Sequence, residues 1–200
     1  MTQKLSFKER EWARREQEIL AEAARLIREH GFNNLKLDDL ADAVGISKPT
    51  LYQHFKNKDD LVAHVMMRGL QELHSFADGL AQRSPLAQLQ DILRMMLEKR
   101  YERDSMLQGV NREVFIGINH AHQGFIDLRE SANQRIYALV QEAQAQGEID
   151  AELSPELISG LLFVLMGLPE HSQANDPEGI PEPYIMEQVI QLFTRAIQAR

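Results

Sequence analysis

The stretch LDDLADAVGISKPTLYQHFKNK, residues 37–58, decides how the chain folds. In its first half Leu37, Leu40, Ala41 and Val44 recur at three- and four-residue steps, the spacing of one apolar helix face. Gly45 then stands where a helix ends in a left-handed conformation, which a residue without Cβ adopts at no steric cost. Ile46 is an apolar plug, and Ser47 is a good N-cap for a second helix. Pro49 falls in that helix's first turn, where its missing N–H removes no intrahelical bond. Leu51 and Phe55, four apart, face inward, leaving Lys48, Thr50, Tyr52, Gln53 and His54 mostly outward. Each of these five can hydrogen-bond phosphates or base edges. Two short helices around a tight turn, the second with such a face, read as a helix-turn-helix whose second helix enters a major groove.

A plainer reading competes with this one, because any small helical domain can contain a Gly-terminated helix followed by a Ser-capped one. Charge separates the two. An ordinary solvated helix carries acids about as often as bases. Residues 46–58 contain three lysines and no carboxylate.

The wider run GFNNLKLDDLADAVGISKPTLYQHFKNKDDL, residues 31–61, closely resembles the DNA-binding domain of the tetracycline-repressor (TetR) family. Shared features are a Gly-Phe ending a first helix, an apolar-x-x-apolar-Ala second helix and a Gly-apolar-Ser turn. Thr-Leu-Tyr-x-x-Phe and a Lys opening a fourth helix complete the pattern. The rest of the chain agrees only in length and helical character. One position departs: Leu35-Lys36 stands where the family usually has Thr or Ser at the start of helix two. Lys36 is a poor N-cap, offset by Asp38 and Asp39 in the first turn through the helix dipole. The resemblance implies an all-α protein of about nine helices, with a three-helix DNA-binding domain in residues 1–56. A larger effector-binding and dimerisation domain would follow in residues 57–200. Base-edge contact falls to Lys48 and Thr50 at the exposed start of the second helix, with Ser47, Pro49 and Gln53 beside them. Tyr52, His54, Lys36 and Lys58 are expected to grip phosphates.

The chain has 200 residues, 44% of them hydrophobic, enough for one or two domains with real cores. The absence of cysteine excludes disulfides, thiol redox sensing and thiolate metal sites. The opening MTQKLSFKEREW has no apolar signal-peptide core, and the longest apolar run is far short of the roughly 20 residues of a membrane span. A cytoplasmic protein is expected. The net charge of −8 argues against nucleic acid until its distribution is seen. Residues 1–60 hold eleven bases and eleven acids, so the deficit lies in residues 61–200. DNA affinity follows local phosphate neutralisation rather than overall charge.

Upstream, Ser6-Phe-Lys-Glu9 is a capping box opening a helix over residues 7–30, with Trp12, Ile19, Ala23, Leu26 and Ile27 as its stripe. Its basic early turns fit either a solvated face or a phosphate-tracking arm. Asn57 caps a fourth helix that runs to about residue 80 with Leu61, Val65, Leu70, Leu73 and Phe76 on its stripe. Further helices are expected over residues 86–103, 105–119, 124–146, from Ser154-Pro155 onward, and 183–199. The Pro-, Gly-, Asn- and acid-rich residues 173–183 read as a loop.

Two features of the larger domain bear on function. The eighth helix is apolar on nearly every side, implying burial on more than one face, either as the domain's central helix or with one face on the domain and the other on a partner. The resemblance implies a dimer interface built from the eighth and ninth helices, here Gly160, Leu161, Val164, Leu168, Val189 and Phe193. Flexible and aromatic residues also collect between the fourth and seventh helices. His74, Phe76, Met96, Arg100, Tyr101, Phe115 and Tyr137 fit either ordinary core packing or, as the resemblance implies, an effector cavity.

No catalytic residue, cofactor motif or metal site emerges. His120-x-His122 puts two imidazoles close in sequence, but no neighbouring carboxylate spacing completes a site. The leading expectation is a homodimeric, ligand-responsive regulator, acting as a repressor on a palindromic DNA operator. It would be released by a small molecule that the residues do not identify. The competing expectation is a helical protein-interaction module whose helix-turn-helix contacts protein.

Overall fold

A computed structural model describes residues 6–101, 112–165 and 182–199, apart from the side chains of 100, 101, 112–115, 119 and 182. Most of these residues are helical. In order they form α1 (Phe7–His30), a 3-10 turn (Phe32–Asn34), α2 (Leu37–Val44), α3 (Lys48–His54), α4 (Lys58–Asp78) and α5 (Pro85–Tyr101). Then come α6 (Arg112–Ala121), α7 (Gln123–Ala145), α8 (Pro155–Leu165) and α9 (Glu182–Ile197). Among the described residues the only β-type pairing is an isolated bridge between Ile149 and Gln198. The expected helix over 105–119 is described only from Arg112, and Leu168 and the loop at 173–183 lie mostly outside the described residues.

The chain divides into two compact units: Met1–Gly69 with Arg103–Ile126, and Leu70–Glu102 with Asp127–Arg200. The first contains the helix-turn-helix. Ser6 accepts from the Glu9 amide at 3.2 Å while the Glu9 carboxylate accepts from the Ser6 amide at 2.7 Å. This reciprocal cap fixes the start of α1, and Gly31, at φ 77°, stops it. Ile19, Ala23 and Ile27 of α1 are fully buried, as are Leu40 of α2 and Leu61, Val62 and Val65 of α4. Trp12 departs from its expected inward place and is 44% exposed. Arg14 pairs with Glu11 and Glu18 on its own helix, so this cation belongs to a solvated, internally neutralised face.

The turn between α2 and α3 is made by backbone bonds. Gly45 adopts φ 72° and ψ 37°. Its amide donates to the Asp42 carbonyl at 3.1 Å, and the Ile46 amide to the Ala41 carbonyl at 2.9 Å, the paired bonds of a Schellman motif. Ser47 Oγ accepts from the Thr50 amide at 3.3 Å and so starts α3 immediately. Asn57 Oδ1 accepts from the Asp60 amide at 2.8 Å and opens α4.

In the second unit one apolar core gathers Ala77 of α4, Leu89, Ile92, Leu93 and Leu97 of α5, and Ile136, Val140 and Ala143 of α7. Ile158, Leu162 and Leu165 of α8 join it with Val189, Ile190, Phe193 and Ile197 of α9. Gly147, at φ 73°, turns the chain out of α7. The Asp150 amide then donates to the Ile197 carbonyl at 2.9 Å and ties this corner to the end of α9. Gln90 to Thr194 at 2.8 Å and Arg94 to Glu187 at 2.9 Å join α5 to α9.

Candidate DNA-recognition surface

Three short helices display the site. α2 packs against α1, and α3 packs against α2. Leu51, at 1% exposure, and Phe55, at 3%, anchor α3 from its inner side. Lys48, Pro49, Tyr52 and Gln53 are exposed, with Thr50 half-buried beside them. Ser47 and Lys36 are exposed just outside the ends of α3 and α2.

The outward groups are held as well as displayed. Lys48 Nζ lies 2.6 Å from Asp38 Oδ1, and this hydrogen-bonded carboxylate raises the lysine's pKa. Thr50 Oγ1 lies 2.7 Å from Ser47 Oγ, so this hydroxyl rests on the cap. Lys58 sits 4.3 Å from the centre of the Phe32 ring and donates to the Asn33 carbonyl at 3.3 Å. Burial pushes its pKa down from the ordinary lysine value, with only Asp59 opposing. Its ammonium is thereby fixed at the mouth of the 3-10 turn, a single orientation for a long and otherwise mobile side chain.

One expected phosphate contact is not on the surface. The His54 side chain is only 2% exposed, stacked on Trp12 with ring centroids 3.7 Å apart and planes at 22°. Its Nδ1 lies 3.8 Å from Glu16 and has no hydrogen-bond partner. Burial lowers its pKa more than Glu16 raises it. His54 therefore seats α3 on α1, and Trp12, left half-exposed, is its stacking partner. Nothing local in the α3 sequence signals this, since the partner comes from a different helix.

Of the residues expected around an effector, His74, Phe76, Met96 and Tyr137 have described side chains, and these do not line one cavity. His74 lines a small cavity with Leu73, Ala77, Ile92, Ala132, Arg135 and Ile136, which encloses about 10 Å³, roughly one water. Its Nε2 is buried without a partner. Met96 lies in the apolar core, Phe76 faces outward, and the Tyr137 hydroxyl donates to Glu156 at 3.1 Å. The side chains of Arg100, Tyr101 and Phe115 lie outside those described.

Of the residues expected at a dimer interface, Gly160 is exposed, Leu161 half-buried and Val164 65% exposed. Val189 and Phe193 are turned into the subunit's own core, Phe193 completely. The apolar residues that α8 and α9 leave uncovered include Leu157, Phe163, Tyr184 and Leu192. Spacing alone could not tell the two faces of α8 apart, because both are apolar.

Comparison with known proteins agrees with this geometry. Residues 19–65 match the model of bacterial regulatory proteins of the tetR family. An uncharacterized HTH-type transcriptional regulator, YvaF of Bacillus subtilis, is 28% identical over 163 residues, covering 80% of each chain. The HTH-type transcriptional repressor KstR2 of Mycolicibacterium smegmatis is 27% identical over 165 residues, covering 73% of each. Among solved structures, the regulator FadR from Bacillus subtilis in complex with stearoyl-CoA superposes with a TM-score of 0.72 at 16% identity. That match covers 91% of this chain and 99% of FadR, and shows a shared fold. The 19–65 segment spans the buried face of α1, the whole helix-turn-helix and the start of α4. Through that match residues 19–65 are identified with the tetR family of bacterial regulatory proteins.

Proposed function

We propose that the protein is a homodimeric repressor that binds a palindromic operator through α3 and is released by a small-molecule effector held in the carboxy-terminal helices. The observation that carries this reading is the outer face of α3. Lys48, Thr50, Tyr52 and Gln53 stand free of the core, flanked by an immobilised Lys58. Lys48 and Thr50 are the base-reading pair; Lys36, Tyr52 and Lys58 hold phosphates. Residues 1–56 form the reading domain.

Dimerisation follows from the needs of a helix-turn-helix, which reads two half-sites about 34–36 Å apart as a two-fold pair. The apolar outer face of α8 supports it. Leu157 and Val164 are large, exposed and seven residues apart on the same helix, with Gly160 between them to let a second α8 approach. Repression is supported by the KstR2 relative, and a ligand by the FadR fold with stearoyl-CoA. α4 contributes residues to both compact units, which makes it the element through which an effector would alter half-site spacing.

The test is a mobility-shift assay with the full chain on the DNA flanking its own gene. A salt-sensitive complex lost on Tyr52→Ala supports the reading. No complex at any salt concentration, with protein captured on the same surface instead, would establish the interaction-module alternative. Mass spectrometry of small molecules that survive purification identifies the effector.

A further inference from the structure

His120-x-His122 has no carboxylate at ligand spacing near it in sequence. The fold supplies one from 62 positions away. Asp60, in the first turn of α4, lies with its Oδ1 3.3 Å from His122 Nε2 and 3.5 Å from His64 Nδ1. One ligand atom from each of the three side chains falls within 4.8 Å of the others, and among the described residues no other such trio of His and acid side chains occurs. The two imidazoles meet edge to face, 5.2 Å apart and at 86°. All three side chains are partly buried, with exposures of 17%, 33% and 22% for Asp60, His64 and His122.

We propose that Asp60, His64 and His122 bind a divalent transition-metal ion of the zinc class, with a fourth position left to water. The donor set is two imidazoles and one carboxylate, the mixture that suits zinc and its neighbours rather than magnesium or calcium. Tetrahedral zinc, with bonds of about 2.0–2.2 Å, sets its ligand atoms about 3.3–3.5 Å apart. The 3.3 Å between Asp60 Oδ1 and His122 Nε2 already matches.

Each ring's second nitrogen says what entry of the ion requires. His64 Nδ1 lies 2.8 Å from the Asp60 carbonyl, which can only accept, so Nδ1 carries the proton and Nε2 keeps its lone pair. A metal-bound imidazole characteristically keeps such a bond from its other nitrogen. His122 is set the other way. Its Nδ1 accepts from the Phe125 amide at 3.2 Å and caps α7, so the neutral ring holds its proton on Nε2, facing Asp60. Metal binding at Nε2 moves that proton to Nδ1, with no net release, and leaves the Phe125 amide to the His122 carbonyl, which it already meets at 3.1 Å. The ion would join the first two turns of α4 to the α6–α7 corner. It would lie one ring from the end of α3, since Phe55 packs edge-on to His64 at 5.3 Å.

The experiment uses tag-free, full-length protein stripped with chelator. Zn²⁺ is titrated calorimetrically and Co²⁺ by its visible absorption. The expected result is one ion per subunit with micromolar or tighter affinity and a tetrahedral Co²⁺ spectrum. His64→Gln and His122→Gln should each weaken binding roughly 100-fold, while His120→Gln leaves it unchanged. Thermal melts of the apo variants verify that they fold. Saturable binding no tighter than about 1 mM, or binding that survives His64→Gln and His122→Gln together, would overturn the proposal. So would loss of binding on His120→Gln, which would move the ion elsewhere.

Discussion

Lys48 and His54 lie at the two ends of α3 and do opposite work. Lys48 is exposed and bound to Asp38, so reaching a base means exchanging one carboxylate for guanine acceptors. Lys48→Ala should therefore relax base preference at one position per half-site, whereas Tyr52→Ala should weaken all sequences alike. Asp38→Asn, by freeing the ammonium and removing a negative charge from the DNA-facing side, should tighten binding severalfold at low salt, as measured by mobility shift. His54 instead stabilises the fold through its neutral form. Its pKa is lowered from about 6.5 by burial, with Glu16 opposing and Arg15 adding slightly to the depression. The unfolded chain therefore takes up the proton first. This contribution is intact above about pH 6.5 and is lost as pH falls toward the lower, folded-state value. His54→Phe should keep the stack on Trp12 and flatten that part of the pH dependence of thermal melting between about pH 7 and 5. A wild-type melt insensitive to acid over this range would contradict the assignment. The spacing of Leu51 and Phe55 was enough to orient α3. It could not place His54, whose position depends on where α1 crosses.

At the scale of elements, caps and stops were legible because they act over three or four residues. The Ser6–Glu9 box, the Gly45 turn, the Ser47 cap and the Asn57 cap all form where the sequence puts them. Removing one should cost what a local device costs. Ser47→Ala should lower stability by about 1 kcal/mol in denaturant unfolding. Gly45→Ala should cost a similar amount through its left-handed backbone, although no atom lies within 4 Å of the added Cβ. Helix ends without such devices were harder to place. α4 stops at Asp78 and continues as turns, with the Arg83 amide donating to Leu80 at 2.9 Å, where periodicity alone extends the helix. The trio of Asp60, His64 and His122 was half visible, since Asp60 and His64 stand four apart on one helix face. Its third member comes from a distant segment.

For the whole molecule, the all-helical class and the reading head could be inferred from α1 to α4, and the rest only in outline. Val189 and Phe193 show why. Both lie on an apolar stripe, and only packing reveals that the stripe faces the subunit's own core. Phe193→Ala should accordingly destabilise the monomer by about 3–5 kcal/mol. Val164→Asp, on the uncovered face of α8, should leave the thermal melt nearly unchanged while shifting sedimentation from dimer to monomer and abolishing operator binding. The central claim joins this face to the other: a recognition helix, presented twice, reads a symmetric site. It is tested most directly by selecting bound duplexes from a random pool with the full-length wild-type protein. The account predicts an inverted repeat with half-site centres about one helical turn apart, whose preference Lys48→Ala relaxes at matching positions in both halves. Recovery of single, unpaired sites, or of the same repeat with undiminished preference from Lys48→Ala, would contradict it.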